Sequence, residues 1–538
     1  MEITRKLPIG LQSFQDLREK DFIYVDKTQY IFRLIDNAKV YFLSRPRRFG
    51  KSLFLSTLKA YFLGQKELFQ GLAIEGWEEA QADKRAIWQE YPVLYLDFNA
   101  ESYRDVSSLE TILHTHLALW GKEYGTEPAE NSFSSRFTGI IRRAYEKMGK
   151  QVVVLVDEYD KPLLETMNDN PELNEIYRKI LKGFYGVLKS SDQYLRFAFL
   201  TSVTKFSKVS IFSDLNNLRD ISLEESYAGI CGITEAELKQ CFHIEIQALG
   251  ERRRLSYEKT LAALKQYYDG YHFHPETEGV YNPFSLLNAF AKRELGSYWF
   301  STGTPTFLVQ FLQKQTGNVR EILEEAEMSE SALQDYRPDM QNPIPILFQS
   351  GYLTIKAFDE RFRLYKLGFP NDEVKYGFLD NLVPAYTAIP KDKSGLFIGS
   401  FVRDIEKGNV EGFMSRMYTA CAGLPYSMAA KKNTKMRERD YQVAFYILFT
   451  LMGQFTQAEV VSLRGRADCV VHTADTIYVF EFKLAGSGTP QSAIEQIKEK
   501  GYAEPYRKSG KKVVLVGAIF GDGIDEDTPD TWIAEGWG

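Results

Sequence analysis

The chain has 538 residues, which at roughly 100 to 200 residues per domain implies about three domains and a sizeable core. Hydrophobic residues make up 44% and charged residues 26%, a globular composition that excludes disordered, collagenous and disulfide-scaffold chains. Lys and Arg total 66 against 72 Asp and Glu, a formal charge of −6, so the field of the whole chain does not draw in nucleic acid or anionic lipid and any polyanion needs a local patch.

Cys231, Cys241, Cys421 and Cys469 are widely spaced with no CxxC pair, which supports neither a zinc ribbon nor a secreted disulfide framework. The start, MEITRKLPIG, lacks a charged segment followed by an apolar one, and the longest apolar stretch, Val443 to Met452, is too short to cross a bilayer. A soluble cytoplasmic protein without membrane contact is expected.

Through the first ~230 residues, apolar runs alternate with helical stretches, the pattern of an α/β fold with a helix-covered parallel sheet. The runs are Val40 to Leu43, Val93 to Leu96, Val152 to Val156 and Leu195 to Leu200. Ser44, Asp97, Asp157 and Thr201 follow them, at the carboxyl edge where open α/β sheets bind ligands.

After the first run comes SRPRRFGKSLFLSTL, in which Gly50, Lys51 and Ser52 match the end of a P-loop (Walker A). Gly50 lets the backbone approach a phosphate, Lys51 reaches the β and γ phosphates, Ser52 ligates magnesium, and Leu53 continues the helix whose amide end faces the anion. Arg45 replaces the first P-loop glycine, and Arg47, Arg48 and Phe49 complete the expected nucleotide-contacting set. The run QVVVLVDEYD has the Walker B form: Asp157 binds magnesium through water and Glu158 polarises the attacking water. One strand lies between the two motifs, and another ends in Thr201 and Ser202. This order fits the P-loop class with an inserted strand and a polar sensor beside the γ-phosphate.

From about Glu235 to Ala420 helical periodicity dominates. Tyr352 to Ala357 and Arg361 to Leu367 are two β-rich runs expected to form a hairpin after helices, as in a winged helix. A polar, basic stretch, 429 to 439, precedes the apolar helix Tyr441 to Leu451, so domains are expected at 1–230, 231–428 and 429–538. Its cations Lys431, Lys432, Lys435, Arg437 and Arg439 read as a solvated linker. His114 with His116, and His272 with His274, have HxH spacing, but the first pair lies in a helical stretch where residues two apart point in different directions, which favours surface or interface histidines, and the second sits among turn residues with no evident third ligand.

The last segment reads GRADCVVHTADTIYVFEFKL. Glu481 and Lys483, two residues apart on a strand, share one face, with Phe480 and Phe482 on the other. Asp468 and Glu481 with the Phe482 carbonyl suit a hard cation such as magnesium, and Lys483 orients or activates the attacking water.

The blocks LPIGLQSF, YVDKTQYI, SRPRRFGKSL, VDEYDKPL, FSKVSIFSDLNNLRDIS, YDGYHF, YNPFSLL, TGTPTFL and LGFPNDEV resemble the AAA-ATPase-like family over roughly residues 1 to 390. The resemblance implies an ATPase-like fold in which the RPRRFGKS loop, Arg45 included, is usual. The last ~105 residues resemble the PD-(D/E)XK nuclease superfamily, with the order helix (about 438 to 453), strands (457 to 463, 466 to 472, 477 to 484), helix (490 to 508), strand (511 to 519). That resemblance implies a further acid, Glu438 or its competitor Glu459, and an accessory role for Gln496.

The expected function is a bacterial-type ATPase, binding ATP and Mg2+, fused to a nuclease of nucleic acid that uses Mg2+ or Mn2+. The alternative is a nucleotide-dependent switch whose last domain binds nucleic acid or a partner without cutting it. A homo-oligomer is left open, because many P-loop ATPases take an arginine from a neighbour.

Overall fold

The computed structural model describes residues 5–537 except 168–169, 206–210, 213–214, 216, 303–307, 310–311, 313–318, 325, 335–341, 423–433, 461–467, 522–523 and 525–526. The chain forms two compact units, one of residues 1–302 and 323–373, the other of 303–322 and 374–538. The segment 231–428, read from the sequence as a middle region, is thus shared between them.

The first unit is built on a parallel sheet of β1 (Val40–Ser44), β2 (Val93–Asp97), β3 (Val152–Asp157), β4 (Leu195–Ser202) and β5 (Leu218–Asp220), in the order β2-β3-β4-β1-β5. β1 and β3 are buried at every position, which is why they read as unbroken apolar runs rather than alternating ones. β4 lies between β1 and β3, so the strand ends that carry Ser44, Asp157 and Thr201 are neighbours. Local signals set the flanking helices. Asp105 caps Val106–Tyr124, a Ser132/Ser135 capping box opens Phe133–Met148, and Asn170 with Pro171 at the first position opens Pro171–Ser190. Phe137 stacks on Phe184 at 4.5 Å and joins two of these helices.

A helical layer follows, His243–Arg253, Tyr257–Tyr268 and Pro283–Lys292, around Phe242, Ile246, Leu249, Leu264, Leu286 and Phe290. Leu7, Ile9, Ile23 and Val25 of the amino-terminal segment pack against it. The expected hairpin is present as β7 (Thr354–Asp359) and β8 (Leu364–Gly368), with β6 (Glu327–Ser329) on the other side of β8. It starts two residues later than the sequence suggests. The Tyr352 and Leu353 amides close the helix Ile344–Gln349 by donating to the Leu347 carbonyl.

In the second unit β9 (Gln457–Val460), β10 (Cys469–His472), β11 (Thr476–Leu484), β12 (Lys512–Phe520) and β13 (Trp532–Trp537) form one sheet in the order β13-β12-β11-β10-β9. Only β11 and β12 pair in parallel, and the helix Pro490–Glu499 makes the crossover between them. That helix covers one sheet face through Ile494 and Ile497 on Ile477, Val479 and Leu515. Aromatic rings fill the other face: Phe445 meets Phe482 at 4.5 Å and Phe449 meets Phe480 at 5.5 Å, both from the helix Thr434–Met452. The expected helix 490–508 ends at Glu499, because Gly501 turns the chain at φ 66°. β13 was not read from the sequence. Among the described residues no helix is long and apolar enough to cross a membrane.

Gly517 on β12 is the register partner of Glu481. A Cβ there would lie 2.3 Å from the Pro490 carbonyl oxygen and 3.1 Å from Ala493 and Ile494. Its bare backbone therefore lets the crossover helix lie close on the sheet. Gly517→Val is expected to destabilise the fold by at least about 3 kcal/mol, read as a lower midpoint in denaturant.

Candidate functional site

The carboxyl edge of the first sheet opens into a cavity of about 660 Å³. Gly50, at φ 92°, ends the loop after β1 and starts the helix Lys51–Phe62. It lines the cavity, and a Cβ on it would meet nothing within 4 Å, so the loop backbone is open to a ligand there. Arg47, Arg48, Phe49, Lys51, Ser52 and Leu53 also line the cavity. Lys51 Nζ is buried and donates to the Arg45 and Pro46 carbonyls at 3.0 and 3.1 Å, which holds the loop curved around it.

At the end of β3, Asp157 is 1% exposed and its Oδ1 accepts the Thr201 hydroxyl at 2.6 Å. Glu158 takes φ 52°, a left-handed conformation that is strained for a side chain of its size, and lines the cavity. Asp160 pins the chain beyond Thr201 in place, accepting the Val203 amide and the Thr204 amide and hydroxyl. Burial pushes its carboxyl up to about 6.

Arg45, expected among the phosphate-contacting residues, has another task. It is 1% exposed and donates to the carbonyls of Ser44, Ser222 and Tyr227, with its guanidinium 3.9 Å over the Phe273 ring. The bonds to Ser222 and Tyr227 tie the end of β1 to the segment after β5, and burial pulls the guanidinium down to about 10 without discharging it near neutrality. Arg45→Met would strand three carbonyls, and is expected to cost about 2–4 kcal/mol in a chemical unfolding titration. Phe49 lines the cavity and also packs: its buried ring meets Tyr271 at 4.7 Å and Phe273 at 5.7 Å.

In the second unit Asp468 lies immediately before β10, and its Oδ2 accepts the Phe482 amide at 2.8 Å. On a strand the N–H and C=O of one residue point to the same edge, so the Phe482 carbonyl is directed to the side where Asp468 lies. Glu481 is 3% exposed. Its Oε1 accepts Lys483 Nζ at 3.1 Å and the Gln496 amide, and Lys483 Nζ also donates to Gln496 Oε1 at 2.5 Å. Burial, then the Asp468 carboxylate, pushes the Glu481 carboxyl up to about 7.

The structure thus gathers Asp468, Glu481, Lys483 and Gln496, as the sequence suggested. The side chains of Glu438, on the helix Thr434–Met452, and Glu459, on β9, lie outside what the structure describes. So do Gly465 and Arg466 of the GRxD run and the basic residues Lys431 and Lys432. His114 meets Arg136, and the His272 ring meets the Thr277 carbonyl, in keeping with ordinary packing roles.

Residues 8–212 match the family described as predicted AAA-ATPase, and residues 436–524 match the PD-(D/E)XK nuclease superfamily. The chain belongs to the AAA-ATPase-like proteins that carry a PD-(D/E)XK nuclease domain. A relative from Azotobacter chroococcum mcd 1, named "Uncharacterized protein in vnfD 5'region", is 36% identical over 521 residues, 96% of this chain and 96% of that protein.

Both sites of this AAA-ATPase-like protein fit the groups its families imply. Arg48 Nη1, on a residue of the cavity wall, is buried with no hydrogen-bond partner, which suits an anion. Glu481 Oε2 is buried and unpartnered, which suits a cation. Among the described residues, the oxygen donors gathered at the nuclease-like site are the Asp468 and Glu481 carboxylates and the Phe482 carbonyl, a hard set that suits a cation such as Mg2+.

The motifs alone did not reveal the rest of the cavity wall. Pro8, Gly10, Leu11 and Gln12 of the LPIGLQSF block contribute to it, as does Lys27 of YVDKTQYI, which pairs with Glu237 at 2.7 Å. Ile230, Ile233, Phe242 and Phe284 add an apolar part to a wall that also carries Arg47, Lys51 and Glu158. The blocks that carried the resemblance were the available signal, but they named no role.

Proposed function

We propose that this chain is an ATP-binding, ATP-hydrolysing protein whose terminal domain cleaves phosphodiester bonds of nucleic acid under the control of the nucleotide. The observation that carries the nuclease reading is the hydrogen-bonded set Glu481, Lys483 and Gln496 beside Asp468, with one Glu481 oxygen buried and unpaired. A surface ion pair has no need of such an arrangement. Asp468, Glu481 and the Phe482 carbonyl would hold Mg2+, with Mn2+ an alternative, which when bound supplies Lewis-acid polarisation of the scissile phosphate. Lys483 holds and orients the attacking water. Gln496 keeps both Lys483 and Glu481 in register, since its amide donates to one and its carbonyl accepts from the other.

At the other site Lys51 and the loop amides would take the β and γ phosphates, Ser52 and Asp157 would hold Mg2+, and Glu158 would orient water, with Thr201 fixing Asp157. The supporting observation is a cavity lined by Lys51, Ser52 and Glu158 together. Control of the nuclease site by the nucleotide is part of this proposal, and what supports it is the presence of both domains on one chain. The four free cysteines agree with a reducing cytoplasm. Phosphate release with ATP and Mg2+, followed with and without nucleic acid, tests this function. Release that rises when nucleic acid is added supports it, and the absence of release contradicts it.

A further inference from the structure

The YNPFS run, residues 281–285, has no part in the chemistry above, yet it ends on the wall of the nucleotide cavity. Asn282 accepts the Ser285 amide and Pro283 takes the first helical position, so Phe284 stands in the first turn of Pro283–Lys292 and lines the cavity. The Arg48 guanidinium lies 3.8 Å from the Phe284 ring centroid.

Arg48 itself is held at φ 69°, just before Phe49, whose ring meets Tyr271 at 4.7 Å, and Gly50. Gly232 fixes the same loop by donating its amide to the Phe49 carbonyl at 3.1 Å. Arg48 Nη1 is buried without a hydrogen-bond partner, and Arg48 forms no ion pair among the described residues. Burial, and next the neighbouring Arg47, pull its pKa down, as expected for a cation lacking a counter-ion. A guanidinium held over an aromatic face keeps N–H groups available for hydrogen bonds, and a lysine could not reproduce that geometry.

We infer that Phe284 is a positioning residue of the nucleotide site, whose ring holds the Arg48 guanidinium so that its unpaired edge meets a phosphate oxygen and the site selects nucleoside polyphosphates over nucleosides. This rests on the nucleotide reading and adds to it a residue from outside the phosphate loop. Phe284 is only partly buried and Phe284→Leu keeps an apolar side chain, so the fold should tolerate the change.

The test measures binding of a non-hydrolysable ATP analogue with Mg2+, and of adenosine, to the full chain. Wild type is compared with Phe284→Leu, Phe284→Tyr, Arg48→Ala and the double variant Phe284→Leu/Arg48→Ala. Phe284→Leu should weaken the analogue roughly three- to tenfold and leave adenosine unchanged, Phe284→Tyr should restore binding, and the double variant should be no weaker than Arg48→Ala. Equal losses toward both ligands, or additive losses in the double variant, would reduce Phe284 to a piece of apolar wall and overturn the inference. Analogue binding that needs Lys51 but ignores Phe284→Leu overturns the inference alone. A wild type that does not bind the analogue overturns the nucleotide reading and the inference with it.

Discussion

Asp468→Asn is expected to lower nucleic-acid cleavage by about 10³-fold or more while leaving the fold intact. The two side chains have the same shape, and the asparagine carbonyl can still accept the Phe482 amide that Asp468 Oδ2 now holds at 2.8 Å. What is lost is a negative charge beside Glu481, and with it half of the carboxylate pair that would hold the cation. The loss of charge also removes a cause of the raised Glu481 pKa, so stability near neutrality should not fall. Initial rates on labelled substrate, paired with thermal unfolding by circular dichroism, check both halves. An equal fall in rate and in unfolding temperature would mean that Asp468 serves the fold rather than the reaction.

Lys51→Ala should weaken ATP binding by about a hundredfold and abolish hydrolysis. Because Lys51 is buried and its ammonium bridges the Arg45 and Pro46 carbonyls, the variant also leaves two acceptors without their donor. A stability loss of about 1–3 kcal/mol should accompany it. Binding must therefore be measured at a temperature where the variant is folded, and nucleotide titration followed by phosphate release does so. If Lys51→Ala binds ATP as wild type does, the cavity is not the nucleotide site.

Much of this architecture was open to reading because the physics behind it is local. Strands buried on both faces need an unbroken apolar run, and β1 and β3 announce themselves that way. The period of two that puts Glu481 and Lys483 on one face is a property of any strand, and their 3.1 Å contact follows from it.

What failed to show was long-range. Arg45 occupies a position where a phosphate contact is usual, but the direction of its side chain depends on carbonyls at Ser222 and Tyr227 and a ring at Phe273, all distant in sequence. Gly517 looks like one more small residue in an apolar strand until the crossover helix is laid on it. β13 is a partly exposed edge strand, so it lacks the apolar run that marked the others. Phe284 reads as ordinary helix packing, and only the fold brings it over Arg48.

The central claim is that one chain holds a nuclease controlled by a nucleotide. The most direct test is cleavage of a mixed panel of labelled DNA and RNA, single- and double-stranded, with Mg2+ or Mn2+, with and without ATP, by wild type, Asp468→Asn and Lys51→Ala. The account predicts cleavage by wild type that changes with ATP, no cleavage by Asp468→Asn, and cleavage by Lys51→Ala that no longer responds to ATP. Cleavage that persists in Asp468→Asn, or the absence of cleavage on every substrate from a wild type that binds ATP normally, would contradict it.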